Sequence, residues 1–229
     1  GLLAGQTREI TLGVSSIVLP LRHPVHVAKA AASVDVLSGG RLVLGVASGD
    51  RPQEYPRFGI DYATRGERFR ASYAAIRALT SSQTLPDGVD VLPKPLAGRL
   101  PLMITGGSQQ SDDWLAAHGD GWMTYPREPE IQAGLIAQYR QRSHDQGLPA
   151  RPVMEPLYID LAEHADAAPQ KIHLGYRLGV HRLREYLRER QRIGVNHVAL
   201  NLRFNRAGTE PSLQQLADHV LPDFPVHPN

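Results

Sequence analysis

Three short stretches of the chain bring small, hydroxyl-bearing and charged residues together in spacings that suit cofactor chemistry. Ile104-Thr105-Gly106-Gly107-Ser108 reads as a strand running into a small-residue turn, and Gln109 to His118 beyond it reads as a helix. A turn at a helix N-terminus offers free backbone N–H groups and the positive end of the helix dipole, which attract an anion such as a phosphate; Ser108 and Ser111 add hydroxyls. Ser108 can also serve as the helix cap, with Asp112 as a favourable first-turn charge, and capping is compatible with phosphate binding. Ser48, Gly49 and Asp50 directly follow the apolar run LVLGVA, where barrel enzymes carry their functional loops, and a strand-end glycine lets backbone approach a flat ring. Ser15 and Ser16, close behind Gly13, leave room for the chain to press on an aromatic ring without a bulky side chain intervening.

Other chemistries find little support. The chain has no cysteine, which excludes a disulfide scaffold, a thiolate nucleophile and any cysteine-ligated metal or cluster. Its ten histidines show no metal-ligand spacing, so no metal is expected. His23, before Pro24, can touch a ligand or make a structural hydrogen bond at its loop; Trp114 and Trp122 read as packing residues. The formal charge of +2 is nearly balanced and the arginines are interleaved with acids, which argues against a nucleic-acid partner. No apolar run is long enough to span a bilayer and no signal peptide is evident, so a cytoplasmic protein without a membrane partner is expected.

These residues need elements to hold them. Strands are expected over Ile10 to Leu19, Leu42 to Ala47, Pro101 to Thr105, Gly121 to Tyr125, Val153 to Leu161 and His197 to Leu202. Helices are expected over Val25 to Leu37, Arg65 to Leu79 with Phe69, Tyr73, Ile76 and Leu79 on one face, Gln109 to His118, Glu128 to Gln146, and Leu178 to Ile193. Strict βα alternation with short apolar strands specifies a parallel α/β sheet covered by helices, either doubly wound or closed as a barrel. Gly39 and Gly40 suit a left-handed helix end, and Asp35 with Arg41 suggests an ion pair fixing that end. The irregular stretch Thr80 to Gly98 reads as an active-site loop.

The segment Leu12 to Gly59, LGVSSIVLPLRHPVHVAKAAASVDVLSGGRLVLGVASGDRPQEYPRFG, closely resembles the luciferase-like, flavin-dependent oxidoreductases, and above all their bacterial luciferase-type branch. The elements that carry the likeness are Leu19-Pro20-Leu21-Arg22-His23-Pro24, Asp35-Val36-Leu37-Ser38-Gly39-Gly40-Arg41 and Gly45-Val46-Ala47-Ser48-Gly49, in that order. It continues through Arg65, ITGGSQQSDDW and GVNHVALNL. The resemblance implies a (β/α)8 TIM-type barrel in which the strand at Ile10 is the third, so residues 1–229 are read as one barrel domain whose first two strands are absent from this chain. It also implies an FMN phosphate site at Gly107, Ser108 and Ser111 reached by Arg65, which on residue type alone is equally a solvated helix-start arginine. The flavin ring is implied near Ser48, Gly49 and Asp50, above a non-prolyl cis peptide between Ser15 and Ser16. No catalytic residue is identified.

The function implied is an FMN-dependent monooxygenase that activates oxygen on reduced flavin, supplied by a separate flavin reductase, to oxidise a small organic substrate; a homodimer is expected. Two alternatives stand beside it. One is an 8-hydroxy-5-deazaflavin-dependent hydride-transfer enzyme, the other a non-catalytic flavin-binding relative.

Overall fold

The computed structural model describes residues 1–81, 83 and 90–225. In chain order the helices and strands are α1 (Leu2–Gln6), β1 (Leu12–Val18), α2 (Pro24–Ser38), β2 (Leu42–Ala47), α3 (Arg65–Leu79), β3 (Leu102–Thr105), α4 (Asp112–His118), β4 (Gly121–Met123), α5 (Pro129–Asp145), β5 (Val153–Leu161), β6 (Gln170–Ile172), β7 (Gly175–Leu178), α6 (Val180–Arg192), β8 (His197–Asn201) and α7 (Thr209–His219). Two compact units divide the chain: Gly1–Met123 with Arg142–Arg151, and Thr124–Gln141 with Pro152 onward.

In the first unit β1, β2, β3 and β4 pair in sequence order, all parallel. β2 is apolar at every position because helices and neighbouring strands bury both of its faces. Helix α3 begins at Arg65 as expected and buries Phe69, Tyr73, Ile76 and Leu79 at helical spacing. Phe69 and Ile76 pack with Leu44, Leu100, Leu102 and Ile104 in one core; each such side chain contributes about 1.5 to 3 kcal/mol by leaving water. Helix α2 ends in the left-handed Gly39 (φ +72°), and the N–H groups of Gly39 and Gly40 donate to Val36 O and Asp35 O. That is the ending expected of the two glycines.

The ion pair expected between Asp35 and Arg41 does not form. Asp35 is buried, and its Oδ2 accepts the N–H of Leu96 at 2.9 Å. Arg41 instead donates from Nε to Ser38 O (2.6 Å) and from Nη2 to Thr7 O (2.9 Å) and Ala4 O (3.2 Å), tying α1 to the end of α2. Carbonyls at helix ends lack partners, and a guanidinium with five donors satisfies several at once. The described part of the Thr80–Gly98 stretch is not an active-site loop either. It forms the αβ connection from α3 to β3 and lies on the helices: Lys94 Nζ donates to Leu79 O (3.0 Å), and Val91 is buried beside Ala28 and Leu79. Residues 82 and 84–89 of that stretch lie outside the described residues.

In the second unit β5 pairs in parallel with β7 and with β8. Leu157, Ile159, Leu178, Leu183, Leu187 and Leu216 form its core. Glu155 and Arg190, both nearly inaccessible, make a two-pronged ion pair at 2.7 and 2.9 Å, and Arg190 Nη1 also donates to Arg127 O. All six expected strands are present and every pairing among them described here is parallel. The antiparallel β6–β7 hairpin was not foreseen, because its strands of three and four residues carry no alternating apolar pattern.

At the start of β3 and β4, Asp120 gathers Arg77, Arg99 and Arg151 (the last at 3.3 Å) and the N–H of Leu102 at 2.9 Å. Burial raises the carboxyl's affinity for a proton, but the Arg77 charge and the hydrogen bonds from Leu102 and Arg77 outweigh it and hold the pKa below the ordinary value. A carboxylate so depressed contributes stability above its unfolded pKa and loses it as pH falls through the folded value. Asp120→Asn should therefore cost about 2 to 4 kcal/mol at pH 7. In urea denaturation the gap from the parent should hold above about pH 5 and narrow below about pH 4; a gap unchanged down to pH 2 would show that the charge is not the cause.

Candidate functional site

Parallel pairing sets the ends of β2 and β3 side by side, and the turns that follow them meet. The N–H of Ser48 donates to Ser108 Oγ at 3.3 Å, and Ser108 Oγ donates to Thr105 O at 2.8 Å. Both serines are buried. Gly49 takes φ +80°, and a Cβ there would lie 2.7 Å from Tyr55 Oη and 2.8 Å from Val18 Cγ1, so glycine is required by conformation and by space. Tyr55, itself buried, donates its hydroxyl to Ser48 O. Burial pushes the Tyr55 hydroxyl up, against the opposing charge of Arg65, so it remains a donor at neutral pH. Asp50 is exposed.

The turn after β3 departs from the sequence reading at its start. Helix α4 begins at Asp112, and its cap is Ser111, whose Oγ accepts the N–H of Trp114 at 3.2 Å; Ser108 does not cap it. Asp112 and Asp113 fill the acidic first turn. Gln109 cannot be helical because Ser108 (φ +44°) and Gln109 (φ +61°) are both left-handed, two consecutive non-glycine residues in a sparsely populated region. Strain of this kind persists only where the surroundings enforce it, and it clusters at ligand clamps. Gln110 is the enforcer: its Nε2 donates to Gly66 O (2.9 Å) and Ser108 O (3.1 Å), and its Oε1 accepts Arg70 Nε (2.8 Å). A Cβ on Gly66 would meet Gln109 Cβ at 2.8 Å, so the first turn of α3 sits directly against this loop.

Arg65, the first residue of α3, stands beside Gly66. Its Nη1 donates to Tyr62 O at 3.0 Å and its Cζ lies 3.8 Å from the Tyr62 ring centroid. Its Nε is buried without a hydrogen-bond partner. An orphaned guanidinium N–H is costly unless something fills the place, and the chemistry that fits is an anion. Residues present therefore suit a phosphate: Arg65, the exposed Gly107 and the Gly106–Ser111 turn. Gly107, Ser108 and Arg65 come from neighbouring elements; Ser111 is exposed and its oxygen is engaged in the cap.

Ser15 and Ser16 lie in β1, joined by a cis peptide, as expected, and the pairing with β2 skips from Val14 to Ile17 across them. Gly45, opposite on β2, has room for no Cβ: it would stand 2.5 Å from Val14 O. A cavity of about 1200 Å³ runs along β1, lined mainly by apolar side chains, with Arg22, His23, His26 and Glu54 also in its wall. Of the expected binding residues only Ser16 lines it, so it is separate from the Arg65 turn. His23 makes no side-chain cap bond and stacks obliquely on His26. Trp114 packs partly buried on the core, as expected, and among the described residues no cluster could hold a metal. Tyr55, Tyr62, Gly66 and Gln110 escaped sequence reading; the only trace of the two tyrosines is the motif YPRFGIDYATR, which carries no periodicity.

Comparison with known proteins gives the family and the fold. The profile of the luciferase-like monooxygenases matches residues 1–224. The oxygenase component of a flavin-dependent trigonelline monooxygenase from Acinetobacter baylyi is 39% identical over 79 residues, covering 34% of this chain and 22% of the relative. The chain spans about half the length of the curated relatives it matches first. Among solved structures, monooxygenase RslO1 from Streptomyces bottropensis superposes with a TM-score of 0.82 at 18% identity, covering 97% of this chain and 80% of that one. A coenzyme F420-dependent tetrahydromethanopterin reductase from Methanopyrus kandleri gives 0.73 at 14% identity, covering 98% and 86%. The fold is thus that of the luciferase-like (β/α)8-type enzymes.

Gly49→Ala tests the packing of the strand-end turns. A left-handed alanine forced against Tyr55 and Val18 should cost about 2 to 4 kcal/mol in urea denaturation. Gly13→Ala, where a Cβ meets nothing within 4 Å, should shift stability by less than about 1 kcal/mol. Equal effects at the two glycines would refute the steric account.

Proposed function

We propose that this chain, which belongs to the luciferase-like monooxygenase family, is an FMN-dependent monooxygenase acting on a small organic substrate. Membership supports an oxidoreductase using a flavin or deazaflavin cofactor. The observation that carries the finer reading is the buried, unpaired Nε of Arg65 beside the strained Ser108–Gln109 turn. In it, Arg65 and the backbone of Gly107 and Ser108 hold the phosphate, Ser111 adds a hydroxyl at its rim, and the flavin ring lies over Ser48, Gly49 and Asp50 with Ser15–Ser16 beneath. Reduced flavin, when bound, supplies the electrons that activate oxygen. The protein anchors the phosphate, offers a small-residue platform to the ring and keeps water away from it. The name of the Acinetobacter relative, an oxygenase component, supports a separate reductase as partner.

Deazaflavin use is the second reading, favoured by the fold shared with F420-dependent enzymes. Reconstitution separates the two: FMN binding with substrate-dependent oxygen uptake supports the first, and turnover with reduced deazaflavin but no oxygen uptake supports the second. We further place the protein in the cytoplasm as a homodimer, for which light scattering at micromolar concentration should give twice the chain mass; a monomer would overturn the dimer.

Arg65→Ala should weaken FMN binding by about 1.5 to 3 kcal/mol, the worth of a charge-assisted hydrogen bond. Riboflavin, which lacks the phosphate, should bind as before. If both ligands lose affinity equally in a fluorescence titration, Arg65 does not hold the phosphate.

A further inference from the structure

We infer that Tyr62 is a positioning residue that holds the Arg65 guanidinium in place while leaving its charge and its Nε free for the cofactor phosphate. This inference rests on the phosphate reading above. Tyr62 opens a short 3-10 turn, Tyr62–Thr64, in which Asp61 Oδ1 accepts the N–H of Ala63 at 2.9 Å, and the turn runs straight into Arg65 at the head of α3. Two contacts from this one residue fix the guanidinium: the backbone carbonyl accepts Nη1 at 3.0 Å, and the ring lies 3.8 Å from Cζ.

The choice of partner matters. Among the described residues Arg77, Arg151 and Arg190 each meet a carboxylate. Among the described residues no carboxylate pairs with Arg65. A carboxylate would hold Arg65 equally well but would cancel its charge and compete with an incoming phosphate. An aromatic face and a carbonyl oxygen restrain the cation without a formal negative charge. An arginine already restrained loses less side-chain freedom when the anion arrives, so restraint appears as affinity.

The Tyr62 ring is itself fixed from behind. Tyr55 packs edge-on against it, with centroids 5.0 Å apart at 83°, and the Tyr55 hydroxyl is bonded to Ser48 O. A continuous set of contacts therefore runs from the turn after β2, through two tyrosines, to the arginine at the head of α3. The Tyr62 ring is what this assembly adds to Arg65; the carbonyl would be present with any residue.

The test compares dissociation constants of FMN and riboflavin for the full chain and its Tyr62→Leu, Tyr62→Phe and Arg65→Ala variants, by quenching of flavin fluorescence. Tyr62→Leu should weaken FMN about fivefold to tenfold, the range of a partly desolvated cation–π contact. Its riboflavin affinity should stay within about twofold, which also reports a folded ring site, and Tyr62→Phe should return FMN to within about twofold of the parent. The inference is overturned if Tyr62→Leu leaves FMN unchanged, if it weakens both ligands alike, or if Tyr62→Phe is as weak as Tyr62→Leu. Should Arg65→Ala fail to separate FMN from riboflavin, the phosphate reading itself falls; a silent Tyr62→Leu beside a discriminating Arg65→Ala removes only the role of Tyr62.

Discussion

Parallel pairing of β2 with β3 is the constraint on which the candidate site depends. Parallel strands end on the same side, so the turns after them are neighbours, and here they are close enough for Ser48 N–H to reach Ser108 Oγ. Once that bond is made, the backbone of the second turn is pressed against the first turn of α3, and Ser108 and Gln109 are driven into left-handed conformations that Gln110 pins through Gly66 and Arg70. Local propensity would not choose this shape. The surrounding hydrogen bonds outvote it, and the turn they shape stands beside Arg65, whose Nε is buried without a hydrogen-bond partner.

Stability and site are arranged at opposite ends of the same strands. Where β3 and β4 begin, a single carboxylate, Asp120, is shared by three arginines and a backbone N–H. Where β2 and β3 end, Arg65 is restrained by a tyrosine and lacks a carboxylate among the described residues. A charge with its counter-ion holds structure; a charge without one is available to a ligand. This division matches the general layout of barrel enzymes, whose functional loops follow their strands.

Much of this was legible in the sequence because it rests on local patterns. Apolar strands, the Phe69–Leu79 face of α3 and the glycine ending of α2 all have periodic or conformational signatures, and the six expected strands appear where those signatures lie. The resemblance carried by the Leu12–Gly59 segment foresaw the cis bond at Ser15–Ser16, which no propensity would suggest. What failed was long-range choice of partner. Asp35 and Arg41 are six residues apart and of opposite charge, yet each found a better mate in backbone groups brought near by folding. The start of α4 was misplaced because Ser108 and Gln109 are left-handed and Ser111 caps the helix, which no local pattern marks. Tyr55 and Tyr62 carry no signature at all, because their work is done by ring faces meeting across a turn.

Whether Arg65 and the Gly106–Ser111 turn hold a phosphate can be read at the phosphorus atom itself, by phosphorus NMR of FMN bound to the protein. A free phosphomonoester loses its second proton at about pH 6. Held against an unpaired guanidinium and backbone N–H groups, the bound phosphate should stay doubly charged, with a single resonance that does not move between about pH 5 and 8. A resonance that titrates near pH 6 while the flavin ring is demonstrably bound would contradict the account.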